Sequence, residues 1–306
     1  MDWYKETLYT DVSQTFKVER IIHREKTELQ DLVIFENKQM GRVLALDGVI
    51  QTTEGDEFFY HEMMGHVPLF AHGQARRVLI IGGGDGGLLE EVLKHRGVER
   101  VVMVEIDPSV IELSKKYLPS IPGQAFADPR AEIVIADGAK FVAETKERFD
   151  VIMVDSTDPQ GPGEVLFRSA FYADCKRCLT EAGVMVTQNG VPFFQPDELA
   201  TTWKRLKPIF PDVSFYLVPV PSYYGGFMSL AWASLSPAHR AAAASEIERR
   251  VKAAAIATKY YNAAIHQACF ALPNYLRAGF RIVREVKEDW AVPERLGLRI
   301  PDALRV

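Results

Sequence analysis

The chain has 306 residues, 47% of them hydrophobic and 25% charged, with a formal net charge of −5. That length allows a full core, divided between one large domain and a smaller one. Its lysines and arginines are scattered among acids, which excludes a basic stripe for nucleic acid or for an anionic membrane surface, and a mildly acidic chain suits a cationic substrate better. No apolar segment approaches the roughly 18–20 residues that span a bilayer. MDWYKETLYTDV lacks the basic start and apolar centre of a signal peptide, so the expected location is the cytoplasm. Cys175 and Cys178 form a CxxC without a second CxxC or a histidine at ligand spacing, and are read as two thiols on a helix face.

Up to about Thr53, short runs (FKVERIIHR, DLVIFEN, GRVLALDGVIQTT) separated by turns at Gly41 and Gly48 predict a small antiparallel β unit, residues 1–54. EFFYHEMMGHVPLF follows, with bulky apolar residues at helical spacing, and predicts a helix that stops near Pro68. From Arg77 the pattern is βαβα: RVLIIGGGDGG, LLEEVLKH, RVVMVEID, PSVIELSKKYL, AEIVIAD, GAKFVAET and FDVIMVDS. Continuous β-branched runs between amphipathic helices indicate a parallel sheet buried on both faces, hence a doubly wound α/β domain over residues 55–280. SPAHRAAAASEIERRVKAAAIA predicts a long helix with Ser236 as its cap and Pro237 in the first turn. Residues 281–306 read as a charged, irregular extension with no assignable role.

IIGGGDGG fits GxGxxG through Gly82, Gly84 and Gly87, follows a strand and opens a helix, and Glu105 ends the next strand. A dinucleotide would lay its pyrophosphate on that helix start. Asp85 lies inside the loop and would repel it, whereas an adenosyl sulfonium compound carries no phosphate and has an amino group the aspartate would attract. Glu105 is placed to accept from both ribose hydroxyls. Asp107 reads as the cap of the next helix. Asp137 and Gly138 end the third strand, where Asp137 either takes the adenine amino group or caps a helix.

Asp155 and Asp158 end the fourth strand at the same carboxyl edge of the sheet, and PQGPG holds the following loop off a helical path. An amine substrate arrives mostly as ammonium and must lose a proton before it attacks carbon, a task for a neighbouring carboxylate. Tyr60, Tyr223 and Tyr224 either line that cleft, where aromatic faces favour cations, or pack in the core. HEMMGH places His61 and His66 five apart, about 140° around a helix, unlike the four-residue spacing of a zinc motif. His61 either reaches the cleft as Tyr60's neighbour or serves behind it or at the surface.

The strings ALDGVIQTTE, DEFFYHEM, VLIIGGGDGG, VEID, ADG, DSTDPQGPGE, PSYYGG and KYYNAAIH occur in the order found in the spermidine synthase family of aminopropyltransferases, which the chain resembles from about Trp3 to about Leu276. The resemblance implies a methyltransferase-like Rossmann domain behind the β unit, working as a homodimer or homotetramer. It implies transfer of the aminopropyl group of decarboxylated S-adenosylmethionine, a co-substrate, to putrescine, giving spermidine and 5′-methylthioadenosine with no cofactor and no metal. By motif, Asp155 would deprotonate the amine, with Asp158 beside it. Asp85 would hold the donor's aminopropyl nitrogen, Glu105 the ribose, and Asp137 with Gly138 the adenine. Gln30, Gln51, Tyr60, His61 and Tyr223 would complete the pockets, and Trp3 would close the far end of the amine channel. An acid at position 85 would also oppose intact S-adenosylmethionine, which carries a carboxylate. Gly55 and Glu90 stand where family members usually carry arginine. Alternatives are an amine N-methyltransferase on the same scaffold, a different diamine acceptor, and an NAD-dependent oxidoreductase, for which no hydride-directing His or Lys can be placed.

Overall fold

A computed structural model describes residues 3–158 and 161–277. β1 (Trp3–Lys5) pairs with β2 (Thr15–Lys17), and β3 (Arg20–Lys26), β4 (Asp31–Asn37), β5 (Gly41–Leu46) and β6 (Val49–Thr53) form an antiparallel sheet in chain order. The run LVIF in β4 is buried on both faces. Leu32 and Ile34 pack with Leu44 and Leu46 against the large domain, and Val33 and Phe35 pack with Tyr4 and Val18 beneath the β1–β2 pair. A continuous apolar run is what two covered faces require.

α1 (Glu57–His72) leads into β7 (Arg77–Gly82), α2 (Gly87–Leu93), β8 (Arg100–Glu105), α3 (Pro108–Tyr117), β9 (Ala131–Ile135), α4 (Gly138–Glu144) and β10 (Phe149–Asp155). Then follow α5 (Ser169–Arg177), β11 (Leu179–Gln188), α6 (Pro196–Leu206), β12 (Asp212–Pro219), β13 (Phe227–Ser234), α7 (Ala244–Ala254) and α8 (Ala263–Ala268). The seven-stranded sheet runs β12-β13-β11-β10-β7-β8-β9, with β13 antiparallel to both its neighbours and the other strand pairs parallel. Successive residues of each central strand face opposite cores. Val78, Ile80, Val151 and Met153 meet Tyr60, Met64 and Val67 of α1 and Leu88 and Val92 of α2. Leu79, Ile81, Ile152 and Val154 meet Val142 of α4, Phe171 and Tyr172 of α5 and Leu199 of α6. α3 joins the two sheets, sending Val110 and Leu113 onto the β4–β5 face.

The order of strands reverses between β7 and β10, so a crevice opens at their carboxyl ends. Gly82 and Asp155 are register partners there. Gly82 has φ +83°, and a Cβ on it would run into the Asp155 carbonyl, so glycine is required where the two strands approach.

Two expectations about helix ends are corrected. α1 passes through Pro68 and ends at His72, with the Gly73 N–H donating to the Leu69 carbonyl. The amide that proline lacks is offset by burial of Leu69, Phe70 and Ala71, and Arg250 Nη1 donates to the Phe70 and Ala71 carbonyls at 2.8 Å each, satisfying the last turn. The helix placed at Ser236 begins only at Ala244. Arg240 is drawn to Asp212, Nε to Oδ2 at 3.1 Å, and His239 Nε2 lies 2.7 Å from the Ala182 carbonyl, which together hold residues 237–241 in turns against the sheet edge. Ser236 itself donates its backbone N–H to Ser234 Oγ rather than capping.

Cys175 lies in α5 and Cys178 caps its end, and both are buried and free, as is Cys269. No helix among the described residues is long and apolar enough to cross a membrane. The extension assigned to residues 281–306 lies outside the described residues.

Candidate active site

The crevice at the β7–β10 switch deepens into a cavity of about 420 Å³ between the large domain and the N-terminal sheet. Of the residues singled out in the sequence, Gln30, Gln51, Tyr60, His61, Asp85, Glu105, Asp137, Gly138, Asp155, Asp158 and Tyr223 all line it. Trp3 does not: it sits on β1 opposite Lys17, 56% exposed, and the chain reaches the cavity instead through Glu6, Leu8 and Tyr9.

The acids on the glycine-loop side are each fixed by the start of a helix. Asp85 Oδ1 accepts the Gly87 N–H at 3.0 Å, and Glu105 Oε1 accepts the Asp107 N–H at 2.9 Å. Asp137 caps α4, with Oδ1 accepting the Ala139 N–H at 2.8 Å. It is thus both helix cap and cavity wall. Asp107 caps α3 through the Ser109 N–H, and its other oxygen accepts Gln30 Nε2 at 2.8 Å, which aims Gln30 into the cavity from the small sheet. Burial pushes the Glu105 carboxyl up to about 7 against the pull of its backbone hydrogen bonds.

His61 is 3% exposed, which rules out the surface role allowed for it. Its Nδ1 lies 2.8 Å from Glu57 Oε2 and its Nε2 3.4 Å from Asp85 Oδ2, so Asp85 is not the free carboxylate expected of a simple amine hook. Burial opposes charge on Asp85, but the imidazole beside it prevails and holds the carboxyl below its usual range.

Asp155 sits at the end of β10, part-buried in the cavity wall, with Oδ1 accepting the Tyr60 hydroxyl at 2.8 Å. Burial raises its carboxyl to about 6, with His61 pulling the other way. Tyr60 and Tyr223 meet edge to face with ring centres 6.1 Å apart, and the Tyr223 hydroxyl donates to the Gln51 carbonyl at 2.6 Å. Both tyrosines therefore line the cleft rather than merely packing in the core. Asp158 accepts from Gln188 Nε2 at 2.9 Å and from Gln195 Nε2 at 3.0 Å, and burial again raises its carboxyl.

Glu6, Tyr9, Gln188 and Gln195 were not found in the sequence. Glu6 is buried, accepting the Ile50 N–H and Gln14 Nε2 at 2.9 Å each. The Tyr9 hydroxyl donates to Gln195 Oε1 at 3.3 Å, and Gln195 Nε2 is shared between Asp158 and Glu198, 3.2 Å away. The apolar stretch ending in VTQ marks a strand end that would have pointed to Gln188, whereas nothing local marks Glu6 or Tyr9. Of the two departures, Glu90 pairs with Lys94 at 2.8 Å on α2, and the Gly55 N–H donates to the Met40 carbonyl, tying that turn to the β4–β5 hairpin.

Among the described residues no group of three His, Cys, Asp or Glu is placed to hold a metal ion. The arrangement can bind a cationic, nucleoside-like molecule against the glycine loop and place an amine between Asp155 and Asp158.

Comparison with known proteins agrees in its extent. Residues 2–54 match the spermidine synthase tetramerisation domain and residues 57–242 the spermine/spermidine synthase domain. The chain is 56% identical over 282 residues to a polyamine aminopropyltransferase of Serratia proteamaculans, covering 92% of this chain and 98% of the relative. It is 56% identical over 276 residues to polyamine aminopropyltransferase 1 of Pseudomonas aeruginosa, covering 90% and 96%. A spermidine synthase solved in complex with the transition-state analogue AdoDATO superposes with a TM-score of 0.87 at 42% identity, over 92% of this chain and 95% of that one. The spermidine synthase of Thermotoga maritima does so with 0.83 at 40% identity, over 91% and 94%. With both of its sheets matched and its cavity at their junction, the chain belongs to the spermine/spermidine synthase family and is an aminopropyltransferase.

Proposed function

We propose that this aminopropyltransferase moves the aminopropyl group of decarboxylated S-adenosylmethionine to putrescine, with Asp155 as the base that frees the attacking amine. The observation that carries the reading is the pairing, in one crevice, of Asp85 held ionised beside the glycine loop with Asp155 held at about 6 by burial. The donor's ammonium lies toward Asp85, its ribose hydroxyls on Glu105, and its adenine toward Asp137 and Gly138. Putrescine enters beside Tyr60, Tyr223 and Asp158.

A carboxylate near 6 is ionised at neutral pH yet more basic than an ordinary one, which suits proton abstraction from an ammonium. As the proton passes to Asp155, the nitrogen lone pair attacks the propyl carbon bound to sulfur. The carbon–sulfur bond breaks and its electron pair neutralises the sulfonium, giving methylthioadenosine and protonated spermidine. The protein's work is alignment, deprotonation and exclusion of water. The match to a tetramerisation domain supports a homo-oligomer built through the N-terminal sheet.

The test is a product assay by mass spectrometry with a panel of diamines and either decarboxylated or intact S-adenosylmethionine. Spermidine with methylthioadenosine, formed from putrescine and the decarboxylated donor alone, is the expected result. Faster turnover of cadaverine, agmatine or spermidine would reassign the acceptor, and a methylated amine from the intact donor would reassign the role of Asp85.

A further inference from the structure

Among the described residues lining the cavity are seven carboxylates, those of Glu6, Asp47, Asp85, Glu105, Asp137, Asp155 and Asp158, and one side chain able to carry positive charge, His61. Its imidazole lies between two acids from different elements, Glu57 one turn back on α1 and Asp85 in the glycine loop. One ring nitrogen bonds Glu57 and the other faces Asp85 at ion-pair distance, and two carboxylates, which only accept, on the two nitrogens favour the imidazolium. The ring packs directly against the start of α2: any side chain at position 87 would collide with it, and only glycine leaves room for it there. Glu57 does not line the cavity, and the fold brings it near the substrates only through His61.

We infer that Glu57 is a positioning residue for aminopropyl transfer: by accepting the Nδ1–H of His61 it keeps the imidazole cationic and turned toward Asp85, and that cation lets Asp85 and Asp155 be ionised together in one enclosed crevice. The inference rests on the proposed role of Asp155 as base. Glu57, His61 and Asp85 together carry one net negative charge, the complement of a single donor ammonium. The groups facing the imidazole are Glu57 and Tyr60 from α1, Asp85 from the loop and Asp155 from β10. Burial opposes its charge, and Asp85 and then Glu57 outweigh that penalty. Asp155 in turn is faced by Tyr60, His61, Asp85 and Tyr223. Burial and Asp85 favour its neutral form, and His61 is the cation that opposes them.

Two readouts test this on the full chain. The first is nitrogen NMR of histidine-labelled protein without substrates, which reports whether the His61 ring carries one proton or two. Wild type is expected to stay doubly protonated through pH 8, and Glu57→Gln to lose a proton at markedly lower pH. The second is the pH profile of kcat/KM for the donor. Its acid limb should move about one unit to higher pH in Glu57→Gln, a loss of about tenfold near pH 5 that shrinks below about twofold at pH 9, since on the acid limb the ionised fraction of the base changes about tenfold for each pH unit by which the limb moves. In a His61→Gln background the Glu57→Gln change should move the profile no further, which separates the relay from a folding defect. A singly protonated ring in wild type, an unaltered ring in Glu57→Gln, or a loss of activity uniform across pH would overturn the inference. A ring that titrates as expected while the profile stays in place would keep the relay and remove Asp155 as the base.

Discussion

The two ends of the cavity are built on different principles. On the glycine-loop side, Asp85, Glu105 and Asp137 each follow a parallel strand and accept a backbone N–H within two residues. Their positions are set by local turns, and the amide dipoles at helix starts favour their charge. On the amine side, Asp155 is held by Tyr60 from α1, Asp158 by Gln188 and Gln195 from beyond the fourth strand, and Glu6 by Gln14 and the Ile50 N–H of the N-terminal sheet. Their partners come from distant parts of the chain, and burial raises Asp155, Asp158 and Glu6 alike. One end is a binding surface assembled by the chain's local geometry, the other a reactive one assembled by packing.

Asp155→Asn should cut turnover most sharply, by about 100- to 10,000-fold, since it removes the proton acceptor. Donor binding measured by calorimetry should stay within about threefold of wild type. Near-normal turnover in that variant would erase the distinction between the two ends. Asp85→Asn removes a charge from the binding end and should raise the donor KM by about 10- to 100-fold, the worth of one hydrogen bond to a charged group, with a smaller change in kcat. Gln195→Ala unhooks Asp158 from Tyr9 and Glu198 and should raise the amine KM by roughly fivefold to tenfold while leaving the donor KM in place; equal changes in both would mean that the ends are coupled.

The smallest effect is on stability. A carboxyl whose pKa is raised by folding stabilises the fold below its unfolded value and loses that contribution as pH rises through the folded one. For Asp155 the window runs from about 4 to about 6, between 3.8 and the value in the fold, with a ceiling of about 3 kcal/mol. Asp155→Asn should therefore melt about 2–5 °C above wild type at pH 8, with the difference closing near pH 4. A melting point unchanged at pH 8 would show that the carboxylate is better solvated than its enclosure implies.

The glycine loop, Glu105 at the next strand end, the DSTDP pair and the doubly wound sheet were legible because each is written within a few residues: a β-branched run, then glycine or acid, then an amphipathic helix. The helix cap at Asp107 was legible for the same reason. Gln195 was not, since it precedes Pro196 in a loop and becomes part of the cavity only when β11 and α6 bring it to Asp158. Trp3, which the resemblance alone put at the far end of the channel, is turned outward by the pairing of β1 with β2, while Glu6, three residues on, lines the cavity.

By itself, then, the amino-acid sequence determined the α/β architecture, the strand ends that carry Asp85, Glu105, Asp137 and Asp155, and the family, because periodicity and turn chemistry act between near neighbours. Tertiary structure alone decided that α1 runs through Pro68, that Arg240 bound to Asp212 keeps residues 236–242 out of a helix, and that His61 lies between Glu57 and Asp85. Each of these depends on desolvation and on partners far away in the chain. Such long-range contacts also set the ionisation of Asp155, because burial beside Tyr60, His61 and Asp85 acts on a charge only once the fold has closed around it.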